Sequence, residues 1–144
     1  MHEVLYYAFC GNGKSICKST REIAEAISLE LDVTAREIKE ENTISDDSII
    51  FLGSSCYGTK PGGILSEFIG STDFTGRQVV LFGTILDGKK NKLKTVEELL
   101  NQAGASVKGS YYCLRKAMPF LHKSHATQDE LNNAREFAGK MKNS

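Results

Sequence analysis

The sequence predicts an α/β fold of three layers: a doubly wound, five-stranded parallel sheet in the order 2-1-3-4-5, with helices on both faces. Three observations carry this expectation. Short uninterrupted apolar runs, clearest at Ile49–Leu52 and Val79–Phe82, have the character of strands buried on both sides. The segments between them show the 3.6-residue spacing of amphipathic helices. Each connection is long enough for a right-handed crossover, so neighbouring strands need no tight hairpin.

Taken in order, Val4–Phe9 reads as the first strand and Cys10-Gly11-Asn12-Gly13-Lys14-Ser15 as a glycine-rich loop, with Ser15 placed to cap a helix. That helix sets Ile16, Thr20, Ile23, Ile27 and Leu31 on one face beside Ala24, and leaves Lys18, Arg21, Glu22 and Glu25 for water. Val33–Ile38 is a weaker strand, interrupted by Arg36 and Glu37, which suits an edge. Polar residues Lys39–Asp47 form a loop before the central strand, Ile49–Leu52, which stops at Gly53. Ile64, Leu65, Phe68 and Ile69 give a short helix ended by Gly70. Val79–Phe82 is the fourth strand, and Gly83-Thr84 opens a loop through Asp87, Gly88 and Lys90. Leu93, Val96, Leu99, Leu100 and Ala103 then share a helical face, with Gly104 suited to a left-handed cap. Val107–Cys113 is the fifth strand, and Leu114–Ala126 an irregular connection holding Pro119, His122 and His125. Thr127-Gln-Asp-Glu130 has the form of a capping box, and Leu131, Ala134, Ala138 and Met141 set the last helical face.

The 144 residues, 40% of them apolar, fit one domain over positions 1–144, a size that buries roughly 68–70% of the unfolded surface. Eighteen basic residues balance eighteen acidic ones, so no overall field recruits nucleic acid, an anionic membrane or an acidic protein. The start, MHEVLYYAF, lacks the pattern of a signal peptide, and no apolar run approaches the roughly 20 residues of a membrane span. A cytoplasmic protein, monomeric or weakly dimeric, is expected. Cys10, Cys17, Cys56 and Cys113 form no Cys-x-x-Cys pair, which points to reduced thiols rather than a disulfide framework or a structural zinc site.

The most informative stretch is Ser48–Gly63, SIIFLGSSCYGTKPGG. In open α/β sheets ligands bind beyond the carboxyl ends of the strands, where backbone amides and helix N-termini face outward. Ser54, Ser55, Cys56, Tyr57 and Gly58 are placed there. With the following Lys60-Pro61, the run Gly53–Gly58 resembles the second flavin loop of the flavodoxin family of FMN-binding electron carriers. Thr20–Ile27 is similar to the family's first-helix signature, and Val79–Thr84 resembles its fourth strand entering the third flavin loop. The resemblance covers essentially the whole chain. It implies a flavodoxin-like fold, bound FMN, and electron transfer between a reductase and an acceptor enzyme as redox partners.

FMN requires a pocket for a phosphate dianion and a slot for a flat ring with a polar edge. Two registers compete for the phosphate loop that flavodoxins usually build as Ser/Thr-x-Thr-Gly-x-Thr. Counting from the end of strand one selects Cys10–Ser15; counting back from the helix face selects Ser15–Thr20. Gly11 and Gly13 favour the first for backbone amides, because glycine reaches the positive φ of an anion-binding nest, and Thr20 stands as a second contributor. Asn12 lies within that loop, and Lys14 is placed to pair with phosphate or simply to be solvated. Tyr57 is placed to stack on the ring or to cover the sheet end, and Gly58 offers the peptide whose flip the resemblance links to flavin protonation. Thr84, Leu86, Asp87 and Gly88 form the loop expected at the ring's pyrimidine edge.

Other readings compete. Ala8–Ser15 nearly spells a nucleotide-binding Gly-x-x-x-x-Gly-Lys-Ser loop, but Ala8 replaces its first glycine, and Gly53 ends the strand where a magnesium-holding aspartate belongs. No dinucleotide fingerprint is present. The four cysteines cluster at the carboxyl edge without metal-ligand spacing, and His122 and His125 read as solvated loop residues, so no metal and no catalytic side chain are assigned. Flavodoxins are commonly very acidic; this neutral chain argues against a docking partner of the kind they use. Two further functions stay open. One is a small FMN-dependent reductase of a quinone or similar acceptor, and the other a flavodoxin-fold binding module without flavin.

Overall fold

The computed structural model describes residues 2–7, 18–38, 44, 49–56, 63–86, 91–115 and 127–142. They form β1 (His2–Tyr7), α1 (Lys18–Leu31), β2 (Ala35–Glu37), β3 (Ile49–Cys56), α2 (Gly63–Ser71), β4 (Gln78–Leu86), α3 (Asn91–Gln102), β5 (Ser106–Arg115) and α4 (Gln128–Lys142). The strands make one five-stranded sheet in the order β2-β1-β3-β4-β5. Every pairing is parallel.

Strand alternation sorts the apolar residues onto two faces. Val4, Tyr6, Phe51, Val80 and Phe82 face α1 and α4, where Ile23, Ala24, Ile27, Leu31, Ala134 and Ala138 close the layer. Leu5, Tyr7, Ile50, Leu52, Val79 and Leu81 face the other way, against Phe68, Ile69, Val96 and Leu100 of α2 and α3. The two cores leave no solvent-facing side on the central strands, which is why those strands read as unbroken apolar runs rather than alternating ones.

Helix ends are closed by local chemistry. At the end of α3 the Ala105 N–H donates to the Leu100 carbonyl at 3.0 Å and the Gly104 N–H to that of Asn101 at 3.1 Å. This is the Schellman pattern, with Gly104 at a φ of 93°. The end of α1 repeats it. Val33 N–H donates to Ser28 at 3.0 Å and Asp32 N–H to Leu29 at 3.4 Å, and here the left-handed position, with a φ of 56°, is held by an aspartate. At the start of α4 the expected capping box is present: Glu130 N–H donates to Thr127 Oγ1 at 3.1 Å, and Thr127 N–H to Glu130 Oε1 at 2.9 Å.

Several boundaries differ from expectation. β1 begins two residues earlier, at His2, because it pairs with β3 from Ile49 onward; Ala8 and Phe9 lie outside the described residues. β2 shrinks to three residues at the sheet edge. α2 runs through Gly70 to Ser71. β3 and β4 each continue four residues past their apolar runs, to Cys56 and Leu86. Ser54, Ser55, Cys56, Thr84 and Leu86, expected in loops, are therefore strand residues: ladders to the adjoining strands supply their backbone partners. β5 likewise runs from Ser106 to Arg115, and its register against β4 slips at Val79/Val80, so that Lys108 is the extra residue of a bulge. No helix among the described residues is long and apolar enough to cross a membrane.

Candidate functional site

Because the strands are all parallel, their carboxyl ends share one rim, and the helices that follow them open there. α1 leaves β1 on one face of the sheet, whereas α2 leaves the adjacent β3 on the other. The crevice between β1 and β3 is thus a topological switch point, where such sheets bind ligands.

Along this rim the register places Tyr7, Ser54, Gly83 and Tyr112 side by side on β1, β3, β4 and β5. The next row is Ser55, Thr84 and Cys113. Small residues here serve close approach. A Cβ on Gly83 would strike the Ser54 carbonyl oxygen, and Gly83 has a φ of 147°, so neither space nor backbone accepts a side chain. One step inward, the Phe82 ring lies where a Cβ of Gly53 would stand. The glycine that reads as a strand terminator is therefore a seat for an aromatic ring.

Sequence reasoning assigns Thr20 and Thr84 to separate regions, and the structure joins them. Their hydroxyl oxygens are 2.7 Å apart, across 64 positions of sequence, and both residues are fully buried. Thr20 sits in the first turn of α1, and Thr84 lies near the end of β4 on the α1 face. Ser54, also buried, belongs to the opposite face, following Leu52 in the strand alternation. Cys10, Gly11, Asn12, Gly13, Lys14, Ser15, Tyr57, Gly58, Asp87 and Gly88 fall outside the described residues, as do His122 and His125.

Electrostatics separate the helix starts at this rim. The first turns of α1, α2 and α3 carry no acidic residue, whereas that of α4 carries Asp129 and Glu130. The positive end of α4 is thereby already compensated, whereas the first turn of α1 brings no carboxylate of its own. Tyr6 and Tyr7 close β1, and burial raises both phenols above their ordinary value, so they stay protonated. Cys113 is buried, and its thiol donates to the Tyr111 hydroxyl at 3.5 Å, which in turn donates to the Glu130 carbonyl at 3.0 Å. Among the described residues no three His, Cys, Asp or Glu side chains gather as a metal site. A separate groove of about 380 Å³ between α3 and β5, lined by Glu97, Asn101 and Lys108 among others, lies at the amino half of β5, away from the rim.

Tyr7 and Tyr112, missed as rim residues by sequence reasoning, are placed there only by strand register. The sole sequence signal was their position in apolar or aromatic strand segments.

No family model and no curated protein sequence matches the chain. Solved structures do. A flavodoxin from the domain Archaea superposes with a TM-score of 0.72 at 15% identity, covering 98% of this chain and 96% of its own. Oxidised flavodoxin 1 from Bacillus cereus gives 0.72 at 15%, covering 99% and 98%. A Fusobacterium nucleatum flavodoxin variant bound to flavin mononucleotide gives 0.59 at 14%, covering 99% and 94%. The chain has the flavodoxin-like fold, over nearly the full length of each of these proteins.

Proposed function

We propose that this protein binds FMN at the carboxyl rim and works as an electron-transfer protein between a reductase and an acceptor enzyme. The observation that carries the reading is the β1/β3 switch point beside an acid-free α1 start, in a fold shared end to end with flavodoxins, one of them solved with flavin mononucleotide bound. The donor set fits such a group. A phosphate dianion at the first turn of α1 meets no carboxylate of that turn.

Bound FMN would supply the one-electron chemistry. Thr20, with the Cys10–Ser15 loop that leads into α1, would hold the phosphate end. Ser54, Ser55 and Cys56 line the end of β3 that leads to Tyr57 and Gly58, the residues proposed against the ring. Thr84 and Leu86 end β4, leading to Asp87 and Gly88 at the ring's polar edge. None of these side chains is asked to act as an acid or base, and the neutral hydroxyls at this rim agree with a binding role rather than proton transfer.

The test is the visible spectrum of the purified protein, with chromatography of the flavin it releases. A yellow protein that yields FMN supports the reading. A colourless protein that leaves added FMN fluorescence unquenched overturns it, and steady NAD(P)H turnover with a small quinone by the isolated protein replaces the carrier role with that of a reductase.

A further inference from the structure

The sheet has two edges, and they differ in how much backbone they leave open. β2 offers three residues, with Arg36 drawn back to Glu3 of β1 at 3.5 Å. β5 offers ten, and among the described residues it has a strand neighbour on one side only. A long open edge is a template for another strand, and soluble proteins blunt it with short strands, lysines or bulges. We propose that Lys108 guards the β5 edge: as a charged extra residue in the strand, it keeps β5 from pairing with β5 of a second copy of this chain.

Lys108 serves neither core. Val107 pairs with Val79 and packs on the α2 and α3 side of the sheet. Gly109 pairs with Val80 and lies on the other side, where a Cβ would come within 2.9 Å of Met141 Sδ. Consecutive strand residues point to opposite faces, so Val107 and Gly109 stand as immediate neighbours would, and Lys108 is an insertion between them. Bulges are rare between parallel strands, and this one carries a lysine on an edge. The edge is open along this stretch: Lys108 lines the groove of about 380 Å³ with Glu97, Asn101, Ser106 and Ser110, and both serines are exposed. Identical edges meet antiparallel about a two-fold axis, and the midpoint of Ser106–Ser110 is Lys108 itself. Pairing there sets lysine against lysine and interrupts the ladder at the same point on both strands, and each effect opposes it.

Deleting Lys108 leaves every other β5 side chain on its own face and straightens the edge. Sedimentation velocity over a concentration series, on protein whose folding is checked by circular dichroism, reads the outcome. The unmodified chain is expected to sediment as a monomer, and the deletion variant to self-associate about tenfold more tightly. Ser110→Pro shows whether β5 is the surface used. The Ser106 N–H donates to the Arg77 carbonyl at 2.8 Å and Gly109 pairs with Val80, so both turn their backbone groups toward β4, and by alternation the Ser110 N–H faces outward. Adding Ser110→Pro to the deletion therefore removes an outward donor without touching the β4 ladder, and is expected to return the monomer. Lys108→Val, which removes the charge alone, serves where the deletion does not fold, and it too is expected to associate more tightly than the unmodified chain. A folded deletion variant that stays monomeric, a dimer indifferent to Ser110→Pro, or, where the deletion does not fold, a monomeric Lys108→Val overturns the guard role. So does an unmodified chain already dimeric that Ser110→Pro dissociates.

Discussion

Gly53→Ala tests the packing at the switch point most directly. Gly53 and Phe82 are direct partners across β3 and β4, and the Phe82 ring occupies the place a Cβ at position 53 would take. The ring has nowhere easy to go, since Phe82 is fully buried against the α1 and α4 layer. Were the site roomy, replacing an extended glycine by alanine would stabilise the protein by about 0.4–1 kcal/mol through the unfolded state. Displacing a packed core ring costs about 1–3 kcal/mol, so Gly53→Ala is expected to destabilise by about 2 kcal/mol. Phe82→Leu alone opens a partial cavity and costs about 1–2 kcal/mol, less than the roughly 3–5 kcal/mol of a full truncation to alanine. In the double variant the new methyl takes up part of that cavity, so its loss is expected to fall at least 1 kcal/mol short of the sum. Urea unfolding followed by circular dichroism and by tyrosine fluorescence measures all four proteins, the chain having no tryptophan. A stabilised Gly53→Ala, or strict additivity in the cycle, would refute the proposition that the ring is seated on the glycine.

Three further outcomes are expected. Asp32→Gly relieves a left-handed residue at the end of α1 and is expected to raise stability by about 0.5 kcal/mol, after offsetting glycine's greater freedom when unfolded; the urea midpoint shows it. Thr127→Ala removes the N-cap of α4 and is expected to cost about 1 kcal/mol, with amide exchange rising first in that helix. The His2 imidazole is held below its ordinary value of 6.5, by burial first and then by nearby positive charge including Lys142, against an opposing hydrogen bond that the ring donates to the Lys142 backbone carbonyl. Its contribution is therefore complete above pH 6.5 and lost as pH falls from there through the lower folded value, since the unfolded chain takes up a proton that the folded chain resists. His2→Asn is expected to flatten that part of a stability profile taken in urea, and an unchanged slope counts against the assignment.

What could be read from the sequence is whatever is local or periodic. The runs at Ile49–Leu52 and Val79–Phe82 announce strands covered on both faces, and the spacing of Thr20, Ile23, Ile27 and Leu31 announces the buried face of α1. Thr127 and Glu130 spell a cap, and Gly104 a helix end. Each of these signals is set within a few residues by backbone stereochemistry or by one turn of helix. Tertiary structure alone decided how far β3 and β4 extend: glycine, serine and threonine look like loop until neighbouring strands supply hydrogen-bond partners. It also placed Phe82 over Gly53, put the bulge at Lys108, and joined Thr20 to Thr84 across 64 positions. Those contacts depend on the register between distant strands and on where a helix crosses the sheet. No pattern along the chain encodes either, because both are settled by packing two cores against one sheet at once.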